Sequence, residues 1–166
     1  MHSGFFLLLA CILACEAVGG LSGLFTQFTR NRWFVGLRKS ALQPSGKVLE
    51  LGWAVCYGLM GAAFYLVLKA PSGHYGHTAS FIIFGFLLAV GLLWPLSFFK
   101  MKHPFLAFVE LLIFWMFALG TIIWFSYAAP AAFFLLLPVM GWILFEAFMS
   151  FMLMMLNEGP TAPSHM

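Results

Sequence analysis

Residues 105–127 read FLAFVELLIFWMFALGTIIWFSY and contain one charged side chain, Glu110. A helix of roughly 20 apolar residues crosses a hydrocarbon core of about 30 Å, so this run is long enough for one span. Lipid offers the backbone no hydrogen-bond partner, and the run lacks the period-2 alternation of a barrel strand, so a helix is expected. The stretch therefore predicts an integral membrane protein.

The same pattern recurs along the chain. Five apolar runs can be counted, at 4–25, 47–68, 79–99, 105–127 and 131–156. The composition agrees, because 63% hydrophobic and 8% charged residues leave too little polar surface to cover a water-soluble domain of 166 residues. We predict an all-α fold with one five-helix transmembrane domain over residues 1–166, in which residues 26–46 form the longest connection.

Basic residues are concentrated on one side of the predicted bundle. The connections after the first and third runs carry seven of the eight Lys and Arg residues, and the opposite side carries only Lys69. The positive-inside rule predicts that these connections and the C-terminus face the cytoplasm, with the N-terminus on the other side. No basic domain is present, so we expect no nucleic-acid partner. The lack of Asp and of an Arg- and Ser-rich leader favours a bacterial membrane, with the mitochondrial outer membrane as the alternative.

Four glutamates fall within the apolar runs, where an ionised side chain costs about 2.5–3.5 kcal/mol at the bilayer centre. Glu50 and Glu110 lie near the ends of their runs, close to basic connections. Glu16 and Glu146 lie deeper and are expected to face the bundle interior, either as a functional contact or as an interhelical hydrogen bond. No metal-ligand spacing, nucleophile triad or phosphate loop is recognisable, so we predict no metal site and no catalytic residue.

Small residues four apart mark close helix contacts. Such pairs occur at Gly19 and Gly23, at Gly58 and Ala62, and at Gly85 and Ala89. They can serve packing within the chain or a homodimer.

The first connection contains WFVGLRKSALQPSG at 33–46, an aromatic pair followed by a basic segment with a proline. Further distinctive segments are WAVCYGLMG at 53–61, WPLSFF at 94–99, KHPFLAFVELL at 102–112 and LLLPVMGW at 135–142. Together these stretches resemble the translocator protein family, also called TspO or tryptophan-rich sensory protein, in which the aromatic pair is followed by L-x-K-P-S-W-x-P-P.

The resemblance implies a dimeric five-helix bundle with a pocket for porphyrins and other flat aromatic ligands, covered by residues 26–46. Protoporphyrin IX or a haem-like tetrapyrrole is the expected ligand, and no cofactor is required. The implied ligand-binding residues are Trp53, Tyr57, Gly91, Trp94, Trp142 and Glu146 from the helices and Arg32, Arg38, Lys39 and Leu42 from the connection. Gly85 and Ala89 are the implied dimer contact. Membrane lipid and a hydrophobic small molecule are the expected partners.

The chain also departs from the family pattern. Leu42 replaces the Trp of W-x-P-P, so of the tryptophan pair that the family's light-driven porphyrin degradation requires, only Trp142 is present. Gly91 replaces an Asn, and the sterol motif lacks its Tyr and Arg, with Phe151 and Met155 at those positions. We therefore expect a ligand-binding protein with a transport or sensing role. A membrane enzyme acting on a tetrapyrrole, or a membrane interaction protein, are the alternatives.

Overall fold

The computed structural model describes residues 2–26, 32–71 and 76–157. It contains five long helices, α1 (His2–Thr26), α3 (Gly46–Lys69), α4 (His77–Pro95), α5 (Pro104–Ala128) and α6 (Pro130–Asn157). A short helix, α2 (Arg32–Gly36), lies in the first connection, and a π-helical segment (Leu96–Lys100) extends α4. The described ranges contain no strand. The all-α fold with five helices long and apolar enough to span a membrane is confirmed.

The five long helices form a closed ring in the order α1, α3, α6, α5, α4. Each packs against its two neighbours, and α4 returns to contact α1. The backbones of α1 and α3 approach closely at Gly61, where an added Cβ would stand 2.6 Å from the Ile12 Cα. Only a residue without a side chain permits that backbone contact.

Pro95 changes the helical geometry at one end of the bundle. Proline has no N–H, so it releases the carbonyl of Gly91, four residues earlier. The hydroxyl of Ser22 on α1 lies 3.4 Å from that carbonyl oxygen and donates to it. After the proline the chain continues as a π-helical turn, with the Met101 N–H bonded to the Leu96 carbonyl at 2.9 Å. The break thus supplies a polar contact that ties α4 to α1.

The described part of the first connection, residues 32–45, is docked on the end of the bundle, and we call it the lid. Phe34 is buried, and its ring lies 5.9 Å from Phe98 and 5.6 Å from Phe99. Lys39 Nζ donates to the carbonyls of Phe34 and Val35 at the end of α2, at 2.6 and 3.0 Å. These contacts give the lid a defined position instead of an extended loop path.

The C-terminal end of α6 also holds the lid. The side-chain amide of Asn157 accepts from the Arg38 N–H and donates to the Arg38 carbonyl, both at 3.0 Å. Its Nδ2 donates as well to the Leu153 carbonyl within α6, at 2.8 Å. One side chain therefore joins the first connection to the last helix.

Candidate functional site

A cavity of about 210 Å³ lies inside the ring, between α1, α3, α4 and α5. Its lining combines aromatic rings, three glycines of α1 and a few polar side chains. The lining residues are Glu16, Gly19, Gly20, Ser22, Gly23, Glu50, Trp53, Ala54, Tyr57, Gly91, Trp94 and Phe114. We call it the central cavity.

Trp53 forms the middle of the aromatic wall. Its ring stacks on Phe114 of α5 at 5.9 Å with an interplanar angle of 14°, and it lies 5.8 Å from the Trp94 ring of α4. Such aromatic pairs contribute about 0.5–1.5 kcal/mol beyond the area they bury. The three rings present a broad apolar surface contributed by three different helices.

The aromatic wall continues into the lid. Trp94 stacks on Phe98 at 5.7 Å and 11°, and Phe98 meets the lid through Trp33, at 5.3 Å, and through Phe34. The rings therefore form an unbroken path of contacts between the central cavity and the segment that covers the bundle end. One ring, that of Phe98, therefore lies between the lid rings and Trp94.

Tyr57 occupies a slot made by two glycines. A Cβ on Gly19 of α1 would overlap the Tyr57 ring, and a Cβ on Gly91 of α4 would stand 2.8 Å from its hydroxyl oxygen. The phenol is 3% exposed, and its hydroxyl interacts with that of Ser22. The two glycines thus fix the position of this ring in the cavity wall.

The structure brings together four of the residues implied by the resemblance, since Trp53, Tyr57, Gly91 and Trp94 all line the central cavity. Trp142 instead packs on Gly52, where α6 meets α3. Glu146 is 3% exposed on the same helix, and its Oε1 has no hydrogen-bond partner in the described part of the chain. These two side chains lie outside the cavity lining, and their role in a ligand site stays a prediction.

The lid residues also lie outside the cavity lining. Arg32, Arg38 and Lys39 are exposed, and Leu42 is 66% exposed. Lys39 caps the end of α2 and covers the Phe34 ring at 4.8 Å, so its cation has a structural task there. Pairing of the lid cations with ligand carboxylates stays a prediction.

Sequence reasoning did not assign several lining residues to the site. Phe114 is one of 21 phenylalanines, and nothing in its neighbourhood distinguishes it from the lipid-facing ones. Glu16 and Glu50 were visible as charges within apolar runs, and both line the cavity. Glu110 lies elsewhere and accepts a 2.7 Å hydrogen bond from Ser97. Across the described residues, no group of three His, Cys, Asp or Glu side chains could hold a metal ion.

The fold and the cavity define a class: a five-span membrane protein with an aromatic cavity inside the helical ring and a short lid at one end. Residues 11–156 match the model of the TspO/MBR family. The chain belongs to the TspO/MBR family.

Relatives of the chain come from bacteria, archaea and animals. It is 27% identical over 157 residues to the tryptophan-rich protein TspO of Chlorobaculum tepidum, covering 95% of this chain and 99% of that one. It is 28% identical over 150 residues to the protein of the same name from Archaeoglobus fulgidus, covering 90% and 96%. The translocator protein of Ovis aries is 30% identical over 145 residues, covering 85% of each chain. The family likeness thus spans almost the whole chain.

Proposed function

We propose that this protein binds a flat, largely hydrophobic ligand in the central cavity, and that a tetrapyrrole such as protoporphyrin IX is the first ligand to test. The observation that carries the proposal is the aromatic wall, in which Trp53, Trp94 and Phe114 line one cavity. Small-molecule sites combine such apolar walls with a few polar groups that set the ligand's orientation. Ser22 and Tyr57 are polar groups of that kind.

The size of the cavity limits what it can hold as it stands. At about 210 Å³ it is smaller than the roughly 300–1,000 Å³ that is common for ligand pockets. A fused ring system of three or four rings suits this volume, whereas a tetrapyrrole requires the wall to open. We propose that the lid opens it, because the path through Phe98 links the lid rings to Trp94. Ligand exchange past the lid would be the physical basis of a transport or sensing role.

The proposal is tested by titrating the protein in lipid nanodiscs with protoporphyrin IX in the dark and following tryptophan fluorescence. We expect saturable quenching. Trp53→Phe should lower both the quenching amplitude and the affinity, because that ring forms the cavity wall. The matched control is Trp124→Phe, which removes an indole outside the cavity lining and should leave the affinity unchanged.

Three outcomes of that titration are informative. Saturable quenching that depends on Trp53 supports a binding protein. Loss of porphyrin absorbance on illumination, dependent on the protein, would favour the enzyme alternative. Absence of saturable binding by the wild-type chain, both of protoporphyrin IX and of a smaller uncharged aromatic probe, would overturn the proposal and favour the interaction protein.

We also propose that the lid end of the bundle faces the cytoplasm of a bacterial cell. The support is the seven-to-one distribution of Lys and Arg between the two sides. A fluorescent protein fused after residue 166 should fold and fluoresce, while an alkaline phosphatase fusion at the same place should be inactive. The reverse pair of results would refute this orientation.

A homodimer through α4 is a further part of the proposal. Gly85 and Ala89 are both exposed, and nothing lies within 4 Å of the position that a Cβ on Gly85 would take. An exposed small-xxx-small pair allows close approach of a second helix. Gly85→Leu should shift the protein from dimer to monomer in light scattering of the detergent complex, whereas Gly141→Leu, at an exposed glycine of α6, should not.

A further inference from the structure

The ionisable carboxyl groups that line the central cavity have no basic counterpart in the part of its lining that the structure describes. Two carboxyl side chains, Glu16 of α1 and Glu50 of α3, line it, and no Lys, Arg or His does so among the described residues. The only ionisable groups of opposite possible sign to a cation that accompany the aromatic wall in the described lining are therefore these two carboxyl groups, beside the neutral hydroxyls of Ser22 and Tyr57. A lining with acidic and no basic side chains favours a ligand that carries a positive charge.

The two carboxyl groups lie at different depths. The connection that carries the lid joins the end of α1, Thr26, to the start of α3, Gly46. At a rise of 1.5 Å per residue, Glu16 lies about 15 Å from that end of the bundle and Glu50 about 6 Å. Glu50 is exposed, and we call this end of the cavity its mouth; Glu16 is half-buried and lies about 9 Å further in along the bundle axis.

In the part of the chain that the structure describes, no salt bridge to Glu16 or Glu50 is formed. Glu16 meets α3 at Gly58, where a Cβ would stand 3.2 Å from its Oε1, and it interacts with the Gly58 backbone. An ionisable side chain within a span normally pairs or faces a functional cavity. Glu16 faces the cavity, and no basic residue among those described lines the cavity with it.

A second polar group in the same wall belongs to Trp53. The Trp53 Nε1 is buried and has no hydrogen-bond partner among the described residues. Buried polar groups are normally satisfied, and those that are not call for a ligand or a water molecule. One unpartnered N–H donor is thus combined with the stacking surface on Trp53, and it suits an acceptor atom of a ligand and not an ammonium group.

We propose that the natural ligand of the central cavity is an aromatic amine, whose flat rings stack on the Trp53 wall and whose protonated nitrogen is bound by Glu16. Glu50 at the mouth attracts the same cation and guides it inward. This inference rests on the proposed function, because it names the chemical class of ligand for that same cavity. Its physical basis is a charge-assisted hydrogen bond in a cavity whose lining is mostly apolar.

The test uses three probes with the same ring system and different charge. 1-Pyrenemethylamine is cationic, 1-pyrenemethanol is neutral and 1-pyrenecarboxylate is anionic. Each is titrated into the full-length protein in nanodiscs of neutral lipid, with empty nanodiscs as the correction for partitioning. We expect the amine to bind about tenfold or more tightly than the alcohol, and the carboxylate to bind weakest.

Variants then assign the charge preference to a residue. Glu16→Gln keeps the size of the side chain and should remove about tenfold of the amine affinity while leaving the alcohol unchanged. Glu50→Gln should reduce the rate of amine binding more than its final affinity, because Glu50 lies at the mouth. The matched control is Glu110→Gln, a carboxyl group that lies outside the cavity lining and bonds Ser97.

The outcomes separate this inference from the function on which it rests. Equal affinity of the three probes, with saturable binding and dependence on Trp53, would overturn the amine proposal and leave the binding function standing. An amine preference that survives Glu16→Gln would also overturn it, because lipid or another group would then select the charge. Absence of saturable binding by all three probes and by protoporphyrin IX would overturn both.

Discussion

Gly91→Ala places a methyl group at the wall of the central cavity and so tests the geometry directly. The new Cβ would stand 2.8 Å from the Tyr57 hydroxyl oxygen and 3.2 Å from Phe114 Cζ. Neither side chain can withdraw freely, because Tyr57 is held on its other side by Gly19 and Phe114 is 1% exposed. At least one ring must therefore move into the cavity or push α4 outward.

The magnitude follows from two opposing effects. Overpacking a close-packed site costs about 1–3 kcal/mol. Replacing Gly by Ala within a helix stabilises the helix by about 1 kcal/mol. We expect a net loss of about 0–2 kcal/mol in the free energy of unfolding. Ligand affinity should fall by about tenfold, equivalent to 1.4 kcal/mol, because the displaced ring takes up part of the binding space.

The assay combines thermal unfolding in detergent with titration of 1-pyrenemethanol in nanodiscs, a probe that carries no charge. Gly141→Ala is the control, since it makes the same change at an exposed helical glycine with nothing within 4 Å of the new Cβ. It should keep its affinity and hold or slightly raise its Tm. Unchanged affinity in Gly91→Ala would refute the placement of the ligand against Gly91 and Tyr57.

Other predictions concern the lid, the contact of Gly61 with α1, and Trp142 of α6. Asn157→Ala removes both hydrogen bonds to the Arg38 backbone, so deuterium exchange at residues 38–42 should accelerate; unchanged exchange would mean that other contacts hold the lid. Gly61→Ala should destabilise the protein by more than 1 kcal/mol, because the methyl group meets the α1 backbone, and a Tm equal to that of Gly141→Ala would refute this contact. Trp142→Phe should leave probe affinity within about twofold, since that ring lies outside the cavity lining, and a tenfold loss would place it at the ligand.

The fold was accessible from the sequence because the membrane imposes a strong constraint. A span must be helical, long and apolar, so the five runs could be counted without tertiary information. The ends of the observed spans differ from those of the runs by only one or two residues. The α2 turn was not predicted, since five residues fall below the length at which periodicity is visible.

The site was only partly accessible, because uniform apolarity hides which way a helix faces. Trp53 and Trp142 are both tryptophans within spans, yet one lines the central cavity and the other fills the seam between α3 and α6. A sequence whose helices are apolar on every face carries no stripe that would distinguish the two. Glu16 indicated the site more clearly than the tryptophans did, because an ionisable side chain within a span normally faces the bundle interior or a cavity.

The central claim, that a flat aromatic ligand occupies the cavity, is tested most directly by photoaffinity labelling with 1-azidopyrene in nanodiscs. Peptide mass spectrometry then locates the attached label. We predict that the label lies on the α3 segment 50–57 and the α4 segment 91–94, and that excess 1-pyrenemethanol prevents this labelling. Label confined to the lipid-facing groove of α5 and α6, around Phe108 and Phe148, and insensitive to competition, would contradict the account.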